Sequence, residues 1–188
     1  MHRKQILTLL DSYRQNHPEE AECVTRFLHF VKTHPDCFER SLAVGHITGS
    51  AWLVNHDGTH TLLTHHRKIN QWLQLGGHAD GNPNVLEVAM KEAMEESGLT
   101  EIRPVSSEIF DLDIHCIEAI GREPVHYHYD VRFALQVVGS EDYAVSHESH
   151  ALRWVSIDAL ESVTQEKAMF RMAQKWDFFW RKSRALSS

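Results

Sequence analysis

The sequence is poor in cysteine and has no long apolar run. Its three cysteines, Cys23, Cys37 and Cys116, are far apart and form no CxxC pair, which favours reduced thiols in a cytosolic compartment. No apolar segment reaches the roughly 18 residues of a membrane helix. The short apolar stretch at 6–10 does not predict a signal peptide. We therefore expect a cytoplasmic protein with no membrane partner.

Positive charge is scarce as well. The 19 Lys and Arg residues are outnumbered by 26 Asp and Glu residues, so the formal net charge is −7. This balance argues against a general nucleic-acid-binding surface. The 188 residues are 42% hydrophobic and include no repeat or low-complexity linker, which is enough for one sizeable core. We predict one domain over residues 40–188, preceded by a helical extension over residues 1–39.

The hydrophobic periodicity predicts a mixed α/β fold. Apolar residues at helical spacing mark two helices in the extension and a last amphipathic helix that contains Met169 and Trp180. The predicted strands lie at 45–54, 60–66, 71–75, 104–118, 125–138 and 152–156. Mixed strands with helices on either side are typical of an α/β/α sandwich. The extension either caps this core, which we favour, or forms a homodimer contact.

A glycine-rich turn at 76–81 leads into a helix that carries three glutamates on one flank. Glu95 and Glu96 follow Glu92 by three and four positions, so the three carboxylates can point to one place. Converging carboxylates repel one another, whereas Mg²⁺ prefers oxygen ligands and would hold them together. The alternative interpretation is a solvated acidic face of the helix.

This segment resembles the Nudix box, G-x5-E-x7-R-E-U-x-E-E-x-G-U, in which U is a bulky apolar residue. The residues in register are Gly77, Glu92, Glu95, Glu96, Gly98 and Leu99. Pro83 and Lys91 stand where the box has a Glu and an Arg, which in the family are expected to pair and brace the loop. We expect an ion pair between Glu87 and Lys91 to replace that bracing, and Asn82 to cap the helix. The similarity, to a bacterial subgroup, runs from about residue 40 to about residue 160.

The resemblance implies a Nudix-type α/β/α enzyme that hydrolyses a diphosphate linkage, often in a nucleoside diphosphate derivative. Mg²⁺, or Mn²⁺ in its place, would be the cofactor, and a small phosphorylated molecule the partner. The implied metal ligands are the Gly76 carbonyl and the carboxylates of Glu92, Glu95 and Glu96, and the general base is Glu92 or Glu148. Two other functions stay open: a non-hydrolytic nucleotide-binding module, and an enzyme like isopentenyl diphosphate isomerase, with a catalytic cysteine and glutamate.

Two alternating segments form a second group of polar residues. Side chains alternate between the two faces of a strand, with a period of two residues. One face of the first segment therefore carries Asp111, Asp113 and His115, and one face of the second carries His126, His128 and Asp130. Residues 121–124 between them look like a hairpin connection, so we expect neighbouring strands whose common polar face lines a cleft. The substrate-binding residues we predict are Arg67, His78, Asp113, His126, His128 and Asp130. A zinc site in the second segment is the less favoured alternative.

Overall fold

The computed structural model describes residues 2–67, 69–119, 124–147 and 149–187, with side chains described up to residue 180. The helices are α1 (Lys4–Asn16), α2 (Ala21–Thr33), α3 (Val85–Ser97) and α4 (Lys167–Ser187), and short 3-10 turns lie at Pro18–Glu20 and Ile157–Ser162. The strands are β1 (Gly45–Val54), β2 (His60–His66), β3 (Gln71–Leu73), β4 (Leu75–His78), β5 (Ile102–Pro104), β6 (Asp111–Ile117), β7 (His126–Val137) and β8 (Ser149–Ser156). Both predicted helices of the N-terminal extension are therefore confirmed.

The strands form one mixed sheet around a central parallel pair. β1 and β7 run parallel along the whole of β1, from Gly45 opposite Tyr127 to Val54 opposite Gln136. The remaining pairs are antiparallel: β2 and β4 with β1, β5 and β6 with β7, and β3 and β8 with β2. Helices cover both faces of this sheet, which confirms the predicted α/β/α sandwich.

Each face of the sheet has its own hydrophobic cluster. The larger cluster packs α1, α2 and α3 against one face, and Ile6 and Phe27 of the extension are fully buried in it. The ring of Tyr129 on β7 stacks on Phe30 of α2 with the centroids 3.8 Å apart. Because burying one large apolar side chain stabilises the fold by about 1.5–3 kcal/mol, the extension contributes substantially to the main core. The smaller cluster, on the other face, joins Trp176 of α4 to Trp52 of β1.

Two predicted strands are each divided in the structure. Residues 71–75 form β3, where Leu73 pairs with β2, and β4, where Leu75 pairs with β1. The partner strand changes at Gln74, whose side-chain amide donates a 3.2 Å hydrogen bond to Asp130. Residues 104–118 contain a non-strand segment between β5 and β6, both of which pair with β7. A continuous strand was therefore the wrong prediction at both places, because hydrophobic alternation does not show where a strand changes its partner.

The helix α3 ends in a left-handed residue. Gly98 has a φ of 71°, and its N–H donates a 2.8 Å hydrogen bond to the Met94 carbonyl. Glycine adopts this conformation without a steric penalty, which accounts for a glycine at this position of the box. Among the described helices, none has the length and apolar character that crossing a membrane requires.

Candidate active site

The glycine-rich segment 76–81, here called the glycine loop, begins within β4 and lies directly against the helix α3. A side chain at Gly77 would place its Cβ 2.5 Å from Oε2 of Glu92, and one at Gly76 would lie 2.7 Å from the Cα of Ser50. The backbone N–H of Gly76 donates a 3.1 Å hydrogen bond to Oε1 of Glu96, which is 8% exposed. Only residues without a side chain allow the loop to come this close, so the loop and the two carboxylates form one compact unit.

Glu95 lies apart from this unit. Its Oε2 is 3.1 Å from Nζ of Lys91, in an exposed ion pair that also brings Lys91 to 3.8 Å from Glu92. The predicted Glu87–Lys91 pair is therefore wrong, since the lysine turns toward the C-terminal end of the helix. Within the described residues, two groups of three ligating side chains have donor atoms within 4.8 Å of one another, and the three box glutamates are not one of them.

The glycine loop is braced by a residue outside the box. The guanidinium of Arg40 forms a bidentate pair with Asp80, with both N–O distances 2.5 Å. The pKa of Asp80 is lowered chiefly by the hydrogen bond from Arg40. Such a planar fork is what Lys91 cannot provide, so the half-exposed Arg40–Asp80 pair links the loop to the segment before β1 where Pro83 and Lys91 make no pair.

The start of α3 also differs from expectation. The helix begins at Val85 after Asn84, not after Asn82. Oδ1 of Asn82 instead accepts a 2.9 Å hydrogen bond from the backbone N–H of Asn84. Asparagine readily forms this short-range turn with a residue two positions on, so Asn82 shapes the approach to the helix without capping it.

The two polar segments are neighbouring strands, as predicted. In the register of β6 and β7, Asp113 lies opposite Asp130 and His115 opposite His128. The parallel β1 extends this face, with Thr48 opposite Asp130 and His46 opposite His128. One face of the central sheet therefore carries a row of imidazoles beside a row of carboxylates.

The carboxylate part of this face is a buried ion network. Asp130 is 1% exposed and accepts hydrogen bonds from Thr48 at 2.8 Å, Ser50 at 2.7 Å and Arg132 at 2.7 Å. Burial alone would raise the pKa of Asp130, but the charge of Arg132 and these donors hold it below the ordinary value. The expectation that the whole face lines a cleft is wrong here, because a cleft would leave this carboxylate accessible.

The centre of the network is Asp111, which is fully buried. Its carboxylate meets Arg132 at 3.0 Å, Arg171 at 2.8 Å and Lys175 at 2.6 Å, so that α4 is tied to β6. Burial would raise its pKa, but the hydrogen bonds from Arg171 and the other two cations hold it low. Asp113 joins the same network through Arg171 at 3.1 Å.

The imidazole part of the face is a compact cluster. His46, His78 and His128 come from β1, β4 and β7, and their ring centroids are 4.8–5.1 Å apart. His126 flanks this cluster with its centroid 5.0 Å from that of His46. Burial, followed by the neighbouring imidazoles, lowers the pKa of His46 to about 4 and that of His128 to about 3. These two side chains are therefore neutral near pH 7.

The remaining predicted residues lie elsewhere or outside the described residues. Nε of Arg67, the residue after the end of β2, donates a 2.9 Å hydrogen bond to the carbonyl of Ser149. Glu148, the predicted loop base, and residues 121–123 of the predicted hairpin lie outside the described residues.

Several residues of the network were not singled out from the sequence. Arg132 follows Asp130 by two positions and so shares its face, while Arg171 and Lys175 are four positions apart on one side of α4. These spacings could have identified the polar face of β7 and the polar side of α4. What the sequence did not contain was the long-range contact that brings the two sets together.

Comparison with known proteins agrees with this architecture. Residues 46–175 match the family model of the NUDIX domain. Similar solved structures include an Ap4A hydrolase from C. elegans, 16% identical, with 72% of this chain and 98% of that chain covered and a TM-score of 0.59. A MutT protein from Methanosarcina mazei Go1 is 21% identical, with coverages of 76% and 97% and a TM-score of 0.51. A NUDIX-family hydrolase from Clostridium perfringens is 23% identical, with coverages of 71% and 97% and a TM-score of 0.50.

At these identities the likeness to solved structures shows the fold alone, and no curated protein matches the chain. The domain match is the stronger finding, because it spans most of the chain and includes the glycine loop and α3. The chain therefore belongs to the Nudix family, whose hydrolases act on pyrophosphate bonds.

Proposed function

We propose that this chain is a divalent-metal-dependent hydrolase of a diphosphate linkage in a nucleoside diphosphate derivative or a related small organic pyrophosphate. The observation that carries the proposal is the placement of the Glu92 and Glu96 carboxylates against the Gly76–Gly77 loop. A loop that would clash with any side chain is held at a fixed distance from two carboxylates on one helix. This arrangement suits a polyanionic substrate only if a cation neutralises the carboxylates.

The donor groups fit Mg²⁺. Carboxylate and carbonyl oxygens are the ligands that this hard cation prefers, and Glu92, Glu96 and the carbonyl of Gly76 would hold it. Glu95 would join them by leaving its exposed ion pair with Lys91, which costs little because such pairs contribute about 0–1 kcal/mol. A bound Mg²⁺ would supply charge neutralisation on the diphosphate and a water of lowered pKa.

The protein side chains would then position the substrate and move a proton. In-line attack on a phosphoryl group depends mainly on orientation and on stabilising negative charge. The attacking water must give its proton to a base, for which Glu92 on α3 and Glu148 are the candidates. The bidentate Arg40–Asp80 pair keeps the loop in place during this step.

The two alternative functions are less well supported. All three box glutamates are present, whereas a non-hydrolytic module has no need of them. An isomerase would need a cysteine in the site, but Cys116 is exposed and lies opposite Tyr127 on β7, on the strand face away from His115. Hydrolysis is therefore the function that these residues favour.

The decisive experiment measures release of phosphate-containing products from a panel of nucleoside diphosphate derivatives, with and without Mg²⁺. The panel includes a dinucleoside tetraphosphate, because one similar structure is an Ap4A hydrolase. Glu92→Gln and Glu96→Gln should each lower kcat by at least about a hundredfold. Glu87→Gln, an exposed residue on the same helix, is the matched control and should retain activity.

Two further outcomes discriminate between mechanisms. Suppose that Glu148→Gln greatly lowers kcat with little change in KM, whereas Glu92→Gln mainly weakens activation by Mg²⁺. That result would identify Glu148 as the base. A panel with no Mg²⁺-dependent cleavage, together with binding of one nucleotide, would refute hydrolysis and support the binding module.

A further inference from the structure

Three histidines from three different strands meet on the face of the sheet that is opposite α3. One ring nitrogen from each of His46, His78 and His128 lies within 4.8 Å of the corresponding atoms of the other two. His46 is 3% exposed, while His78 and His128 are half-buried. Strand register fixes their positions, since His46 lies opposite His128, and His78 lies opposite Thr48, two positions along β1 from His46.

Ring nitrogens of His46 and His128 lack hydrogen-bond partners in this cluster. Neither ring nitrogen of His46 makes a hydrogen bond of ordinary geometry, and Nε2 of His128 does not make one either. The backbone of Leu42 interacts with the His46 ring and raises its pKa, but burial and the neighbouring imidazoles outweigh this effect. A buried polar group without a hydrogen bond is destabilising, so three nitrogens left in this state require an explanation.

The ion network does not supply the missing partners. Asp130 follows His128 by two positions, but Thr48, Ser50, Gln74 and Arg132 already bond its two oxygens. The pattern His126-x-His128-x-Asp130 is thus divided, with its aspartate in the network and its histidines in the cluster. A zinc site made from that sequence pattern alone is not what the fold assembles.

The cluster is also separate from the box. Gly77 lies opposite Gly49 on β1, and both face α3, because a Cβ at Gly49 would lie 3.0 Å from Val88 Cγ1. His78 is the next residue and so points to the other face of the sheet. The imidazoles and the box carboxylates therefore belong to two sites on opposite sides of one strand.

We propose that His46, His78 and His128 form a second metal site, which binds a transition-metal ion of the zinc class. Imidazole is a good ligand for zinc and related ions, whereas Mg²⁺ prefers oxygen. Three histidines with an open fourth position form a recognised kind of zinc centre. Zinc–nitrogen bonds of about 2.0–2.1 Å place tetrahedral ligand nitrogens roughly 3.4 Å apart, so the three nitrogens, now within 4.8 Å of one another, would have to move closer to a common centre.

The surrounding residues suit this assignment. Nδ1 of His126 lies 2.9 Å from the carbonyl of Pro124 and must donate to it, which leaves the lone pair of Nε2 available beside the cluster. Nδ1 of His115 lies 3.0 Å from Oδ2 of Asp113, and its ring centroid is 5.4 Å from that of His128. Imidazoles oriented by carbonyls and carboxylates are typical of the surroundings of protein-bound metals. His126 would supply the fourth ligand, or a water would occupy that position.

The test is a zinc titration of the untagged, chelator-treated protein by calorimetry. We expect one zinc ion per chain. The zinc affinity should be at least about tenfold weaker in each of His46→Gln, His78→Gln and His128→Gln, because replacing even a residue that only hydrogen-bonds a ligand lowers metal affinity tenfold or more. His29→Gln is the matched control, since His29 is exposed on α2, across the sheet. Co²⁺ in place of zinc gives an absorption spectrum that reports the coordination number, and X-ray absorption identifies imidazole nitrogen as the ligand atom.

Two controls separate this proposal from folding and from the box. Circular dichroism and the thermal midpoint of each metal-free variant establish that it is folded. If His46→Gln unfolds, the test relies on His78→Gln and His128→Gln, whose positions are half-buried. Glu92→Gln with Glu96→Gln should leave zinc affinity unchanged and should abolish only Mg²⁺-dependent hydrolysis. Absence of zinc binding by the native protein, or binding that is lost in the glutamate variants and retained in the histidine variants, would overturn the proposal.

Discussion

Replacing Asp111 by Asn tests whether the buried ion network holds α4 onto the sheet. The carboxylate is fully buried and meets three cations, so the substitution removes an anion that Arg132, Arg171 and Lys175 share. Breaking a buried ion pair by neutralising one partner typically costs about 3–5 kcal/mol. The variant should therefore be much less stable than the native protein.

The structure places the cost at the low end of that range. Arg171 is 34% exposed and can recover hydration, and Lys175 keeps Glu20 at 2.5 Å. Arg132 is only 3% exposed, but it keeps Asp130 at 2.7 Å. We therefore expect a loss of about 3 kcal/mol, which for a chain of this size lowers the thermal midpoint by roughly 6–12 °C.

Urea denaturation, followed by circular dichroism and by tryptophan fluorescence, measures this loss. Asp11→Asn is the matched control, because it makes the same chemical change in an ion pair with Arg14 that is about half exposed. An exposed pair contributes about 0–1 kcal/mol. A loss in Asp111→Asn no larger than that of the control would refute the reasoning.

The difference in stability between the native protein and Asp111→Asn also depends on pH, and its direction can be predicted. The pKa of Asp111 is lowered in the folded protein, so its stabilisation is fully present above the ordinary aspartate pKa of about 3.9. That stabilisation is lost as the pH falls through the lowered pKa of the folded state. The gap between the native protein and the variant should stay constant from neutral pH to about pH 4 and narrow only below it.

Other predictions concern single positions. Gly77→Ala should lower kcat by about a hundredfold, because its Cβ would displace the Glu92 carboxylate by an ångström or so; an unchanged kcat in the hydrolysis assay would contradict this. Trp176→Ala should cost about 3–5 kcal/mol in urea denaturation, since the ring is 1% exposed and its Nε1 donates a 2.9 Å hydrogen bond to the Gly58 carbonyl. Cys116→Ser should leave hydrolysis unchanged, and a large loss of turnover would revive the isomerase interpretation.

Local patterns in the sequence predicted most elements of the fold. The predicted bounds of β1 and β2 match the observed ones, and each strand has one partner along its whole length, β7 for β1 and β8 for β2. Residues 71–75 were misread as one strand because the partner changes from β2 to β1 at Gln74, whose side chain donates a hydrogen bond to the distant Asp130. Tertiary contacts of this kind leave no trace in hydrophobic periodicity.

Local patterns in the sequence also predicted part of the candidate site. Helical spacing placed Glu92 and Glu96 on the flank that meets the glycine loop. It could not show that Glu95 turns to Lys91, because a side-chain rotation decides between two nearby partners. The bracing by Arg40 was missed for another reason: it joins positions that are 40 residues apart.

The parallel pairing of β1 with β7 has a consequence for how the chain folds. Thr48 and Asp130 meet across this pair although they are 82 positions apart, and parallel strands cannot be joined by a tight hairpin. Closing so long a loop costs conformational entropy before any contact repays it, which slows folding. Because the imidazole cluster spans the same seam, we expect it to assemble only after this slow step. Zinc added to refolding protein should then act mainly on the unfolding rate and leave the folding rate nearly unchanged.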